Sequence, residues 1–157
     1  MPAAPPASPW NIGISAVRES LLSLHKGLID LARDNRQAQM GRPIPPGELL
    51  QLLTSDASFD WLHPFSRLIV AIDELLEREA PPTDRDAAAV RLEAERIVDR
   101  GGQTFHDAVA QSPVVKAERD RLHAAMATLP PADPAEHEAL LAQRATWVAR
   151  RRRPTSN

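Results

Sequence analysis

Residues 59–79 read FDWLHPFSRLIVAIDELLERE, and this stretch decides the fold. After Pro64 the apolar residues Phe65, Leu68, Ile69, Ile72, Leu75 and Leu76 recur at intervals of three and four, which is helical spacing. Val70 and Ala71 widen the stripe, leaving Arg67, Glu74 and Arg78 for solvent. A helix this apolar around its circumference belongs at the centre of a bundle. Trp61 falls on the same face as Phe65 and is expected in the core, an anchor in a binding groove being its other reading. His63 projects the other way and is expected to be solvated.

Upstream, a first helix is expected from about Ile12 or Ile14 to Gln39. Val17, Leu21, Leu22, Leu24, Leu28, Ile29, Leu31 and Ala32 fall in one half of its wheel, and Glu19, Ser23, Lys26, Asp30, Arg33 and Asp34 fill the other. The seam Ile14, Val17, Leu21, Leu24, Leu28 and Leu31 suits pairing with another helix, within the monomer or across a dimer. It is too short for a coiled coil. The prolines of GRPIPP (41–46) forbid helix, and Pro46 opens a short one through Leu53.

Downstream, Pro81 and Pro82 interrupt the chain, and Thr83 with Asp86 forms a capping box for a helix ending at Gly101 and Gly102. Its stripe of Ala87, Val90, Ala94, Ile97 and Val98 is narrow and small, which predicts a peripheral helix packed on one neighbour. Residues 104–111 form a short helix. Ser112 and Pro113 cap another, with Val115, Leu122, Met126 and Leu129 inward, and Asp133, Pro134 and Glu136 start a last helix that reaches the arginine run. Strand alternation and internal repeats are missing. The expected architecture is an all-α bundle of five or six helices: a single domain over residues 11–150, a disordered proline-rich tail at 1–10 and a basic disordered tail at 151–157.

A chain of 157 residues can form a core without staples, and its lack of cysteine excludes disulfides, zinc–cysteine sites, iron–sulfur clusters and thiol catalysis. The start, MPAAPPASPW, has neither the basic beginning nor the apolar run of a signal peptide, and the longest strongly apolar run, 68–72, is far short of a membrane span. A cytoplasmic protein is expected, with no membrane contact. The 19 basic residues nearly balance the 21 acidic ones. Arg144 and Arg150 to Arg153 follow the last acid, Glu138, so the body is acidic and the tail basic. The 17 arginines against 2 lysines reflect the codon usage of a GC-rich genome. The arginine run could contact phosphate or cap a helix dipole, but no groove-reading motif accompanies it, and nucleic acid is not an expected partner.

No Glu-x-x-His and no histidine pair at helical spacing exists. Asp60 with His63, Asp120 with His123 and Asp133 with His137 are the nearest approach, and two of these pairs coincide with helix starts. No metal or cofactor is expected. His25 lies in the middle of the first helix's apolar face, with Asp73 its natural partner by type, and their meeting would favour a charged imidazolium. Arg18 also points toward that apolar half. His25, Asp73, Arg18 and Trp61 are therefore the candidate pocket residues, and Leu24, Leu28, Leu31 and Val70 the candidate interaction residues. Phosphate loops, nucleophile elbows and triads with a credible context are lacking. The expected function is non-enzymatic: a helical module that binds itself or a protein partner. The alternative is a small-molecule binder or enzyme with an interhelical pocket around His25 and Asp73.

The segments LSLHKGLID (22–30), GELLQLL (47–53) and FDWLHPFSRLIVAIDELL (59–76) resemble a group of small, uncharacterised bacterial helical proteins. The resemblance covers about half of the chain. It implies a cytoplasmic all-α protein and supplies no catalytic residue or ligand.

Overall fold

Thirty residues from Asn11 to Met40 form helix α1, which ends where Gly41 turns left-handed (φ 70°) and returns its N–H to Gln37 O. These features come from a computed structural model, which describes residues 8–148. Helix α2 (Pro46–Ser55) follows the proline loop, and a 3-10 turn (Ala57–Leu62) leads into α3 (His63–Glu77). Then come α4 (Asp84–Asp99), α5 (Gly102–Gln111), α6 (Pro113–Met126), a 3-10 turn (Pro134–Glu136), α7 (His137–Gln143) and α8 (Ala145–Val148). The last two are one helix interrupted at Arg144, so the described residues form seven helices rather than the five or six expected. Among the described residues no strand forms, and no helix is long and apolar enough to cross a membrane.

The expected helix starts hold where a side chain makes them. Thr83 and Asp86 exchange both bonds of a capping box at α4, and Ser112 Oγ accepts from Val115 N–H (3.2 Å) ahead of Pro113 in α6. Elsewhere backbone chemistry shifts the boundary. Pro64 has no N–H, and its ring would strike the carbonyl of Asp60 in a helix interior, so α3 begins at His63 and residues 57–62 take the 3-10 turn. The Asp133 side chain does cap, accepting from Ala135 N–H, but the turn it caps is 3-10 and only then becomes α7.

One continuous core draws on α1, α3, α4, α5, α6, α7 and α8. Helix α1 lies mainly against α6 and α3, and α7 lies along α4. The expectation that α4 is peripheral is corrected. Ala87, Ala89, Val90 and Ala94 are completely buried, and α4 touches α3, α6 and α7. The small side chains that make its stripe look thin are what let neighbouring helices approach it from several sides.

The start of the chain is corrected too. Ser8 Oγ donates to Pro82 O (2.7 Å), Trp10 Nε1 donates to Asp84 Oδ1 (2.7 Å), and Trp10 packs on the core. Residues 8–10 thus fasten α1 to the loop before α4 rather than belonging to a loose tail. Residues 1–7 and the Arg150 to Arg153 run lie outside the described residues.

Candidate functional site

Helices α1 and α3 run antiparallel, and that register decides the fate of the expected pocket. His25 stacks on Phe65 (centroids 6.4 Å apart, planes at 19°), while Arg18 Nε donates to Asp73 Oδ1 two turns away. Seven residues of helix span about 10 Å, so His25 faces the wrong level of α3 to meet Asp73. The expected His25–Asp73 pair is replaced by Arg18–Asp73, and no hydrogen bond to the His25 ring forms among the described residues. Burial lowers the His25 pKa, which favours the neutral ring rather than the imidazolium that a carboxylate would have supported.

The candidate interaction residues divide by burial. Leu24 and Leu28 are fully inside the protein's own core, so the seam of α1 pairs helices within the monomer and those two residues are not on a surface. Leu31 is half-buried against the core, and Val70 is 55% exposed. His63 is corrected from solvated to bonded: its Nε2 donates to Leu53 O (2.9 Å), tying the start of α3 to α2, with Asp60 3.8 Å from Nδ1.

Trp61 is half-buried and forms a wall of two clefts. The larger, about 610 Å³, opens between the start of α3 and the end of α4. Trp61, Pro64, Phe65 and Ile97 supply its apolar lining. Glu93 and Arg96 share a face of α4 with Ile97, Arg100 follows at the C-cap of that helix, and Arg67 and Arg144 face them from α3 and from the break between α7 and α8. Four guanidinium groups therefore share one cleft with one carboxylate. Arg144 Nη1 pairs with Glu93 Oε2 (3.2 Å), whereas the guanidinium groups of Arg67, Arg96 and Arg100 form no ion pair or hydrogen bond with any described residue.

Gly101 lies at the edge of this cleft, and a Cβ built on it would sit 2.7 Å from Ile97 O and 2.8 Å from the Phe105 ring. Gly101→Ala is therefore expected to cost roughly 1–3 kcal/mol through overpacking, read as a lower midpoint of urea unfolding.

The smaller cleft, about 260 Å³, lies on the other side of Trp61 between α1 and α5 and includes Leu31, Thr104 and Asp107. Asn35 and Gln111 brace it by exchanging amide hydrogen bonds of 3.2 and 2.8 Å.

Sequence reasoning missed the arginine cleft. Residues 93, 96 and 97 do share a helical face, but the side chains opposite them come from positions tens of residues away. Among the described residues no group of three or more His, Asp or Glu is placed to hold a metal ion. No family model, curated protein or solved structure matches this chain.

Proposed function

We propose that this protein is a bacterial, cytoplasmic binding module that takes an anionic ligand in the cleft between α3, α4 and the α7–α8 break. One observation carries the reading: Arg67, Arg96 and Arg100 converge there, none of them in an ion pair with a described residue. Four of the 19 basic residues lie in the 150–153 run, so the rest of the chain holds 15 against 21 acids. In a body short of positive charge, three unpaired guanidiniums in one concavity are a local excess. Like charges on adjacent turns, as at Arg96 and Arg100, repel each other, and an anion relieves that repulsion. Guanidinium forks match carboxylate and phosphate oxygens two at a time, and the cleft volume falls in the ordinary range of ligand sites.

The small-molecule reading thus moves from His25 and Asp73 to the arginines, with Trp61 kept from the original candidates. The interaction reading, a self-association or partner-binding module, retains Val70 and, half-buried, Leu31 of its four residues.

Titrating the full chain with inorganic pyrophosphate at low ionic strength tests the proposal by calorimetry. Saturable binding is expected, weakening as salt rises. The double substitution Arg96→Ala/Arg100→Ala is expected to weaken it at least tenfold, since hydrogen bonds to charged groups are worth about 1.5–3 kcal/mol each. Equal affinity in a variant of unchanged helicity would overturn the reading.

A further inference from the structure

The three tryptophans of the described residues differ in one respect. Trp10 Nε1 is bonded to Asp84 and Trp147 Nε1 to Asp86, each within 2.8 Å, while Trp61 Nε1 has no partner among the described residues. Its indole stands half-buried beside the unpaired arginines, over an apolar lining that includes Pro64 and Ile97. A flat apolar surface next to concentrated positive charge matches a ligand that joins a planar ring to several negative charges.

We infer that the ligand is a free nucleoside di- or triphosphate, an assignment that rests on the anion-binding reading above. Its base lies against Trp61 and its phosphates lie among Arg67, Arg96 and Arg100. A single carboxylate neutralises one of these guanidiniums, whereas a terminal phosphate alone brings about −1.5 to −2 and its neighbour adds more. The second cleft sets the orientation. Asp107, in its lining, repels phosphate, so the uncharged end of the ligand faces it and the charged end faces the arginines. A nucleic-acid strand fits less well, because its backbone would continue past the arginines over a body rich in acids.

Calorimetric titrations of the full chain with ADP, inorganic pyrophosphate and a short oligothymidylate test the assignment, alongside NMR of the indole N–H signals. ADP is expected to bind at least tenfold more tightly than pyrophosphate. The Trp61 indole signal, assigned by its loss in Trp61→Phe, is expected to move on addition of ADP while those of Trp10 and Trp147 stay in place. Trp61→Leu should bring ADP down to the affinity of pyrophosphate, and Trp61→Phe should retain most of the advantage. Equal affinities for ADP and pyrophosphate in the wild type would overturn the nucleotide and leave the anion site standing. Tighter binding of the oligothymidylate than of ADP would overturn the free nucleotide in favour of a strand. If neither ADP nor pyrophosphate binds, the nucleotide and the anion site fall together.

Discussion

Replacing Asp86 with alanine is expected to remove roughly 3–5 kcal/mol of stability, the cost of breaking a buried charge network by deleting one partner. Its carboxylate is completely buried and joins three parts of the chain. Oδ2 accepts from Arg78 Nη2 (2.8 Å) and from Thr83 N–H (2.9 Å), and Oδ1 accepts from Gln143 Nε2 (3.0 Å) and Trp147 Nε1 (2.8 Å). The end of α3, the start of α4 and the α7–α8 pair are thus held by one side chain. Alanine leaves the Arg78 charge, the Trp147 indole N–H and the Gln143 amide without their acceptor. A shift of the urea midpoint measures the loss, and red-shifted emission from Trp147 reports release of α8. A change below about 1 kcal/mol would contradict this account of the junction.

The same carboxylate makes folding sensitive to acid. Burial alone pushes its pKa up, but the bonds from Thr83, Gln143, Trp147 and Arg78 together outweigh burial and hold it at about 2, below the ordinary 3.8. Because the folded value is the lower one, the stabilisation is fully present above the unfolded pKa and is lost as pH falls through 3.8 toward 2. It amounts to roughly 2 kcal/mol at neutral pH. Asp86→Asn is expected to flatten the acid limb of the stability profile over that window.

Phe65→Ala is expected to cost a similar amount, roughly 3–5 kcal/mol, against a total of about 5–15 kcal/mol for a domain. Phe65 is 1% exposed and touches the Phe105 ring (centroids 5.6 Å, tilt 39°) on one side and His25 on the other. It therefore joins α1, α3 and α5 at the centre of the core, and it also lines the arginine cleft. Truncation leaves a cavity between rigid rings that backbone movement cannot close without dragging three helices. Urea unfolding should show a lowered midpoint, and pyrophosphate binding should weaken as the cleft wall recedes. A loss under about 1.5 kcal/mol would mean that the helices collapse into the space. Phe65→Leu, which refills most of the volume, should be milder.

What could be read from the sequence was local chemistry. Thr83 with Asp86 and Ser112 with Pro113 each act within one turn of their own position, and the helix starts they set are found in place. The apolar stripes of α1 and α3 likewise identified Leu24, Leu28, Phe65 and Leu68 as inward-facing. Relations between helices were not legible. Nothing in residues 14–31 says which level of α3 they will face, so Asp73 was matched to His25 by chemical type while the antiparallel register gave it to Arg18. Alanine in α4 reads alike on a helix with one neighbour and on a helix with several. The arginine cleft combines both difficulties. Arg67 reads singly as a solvated cation, and only the packing of α3 on α4 gathers it with Arg96 and Arg100.

The most direct test of the central claim is to follow the arginine side-chain Nε–H signals of the isotopically labelled full chain by NMR during addition of inorganic pyrophosphate. Binding in the cleft predicts saturable shifts of Arg67, Arg96 and Arg100 that fade with added salt, while Arg18 and Arg78, already engaged by Asp73 and Asp86, stay in place. Shifts spread evenly over all exposed arginines, or none at the three cleft residues, would contradict a built anion site.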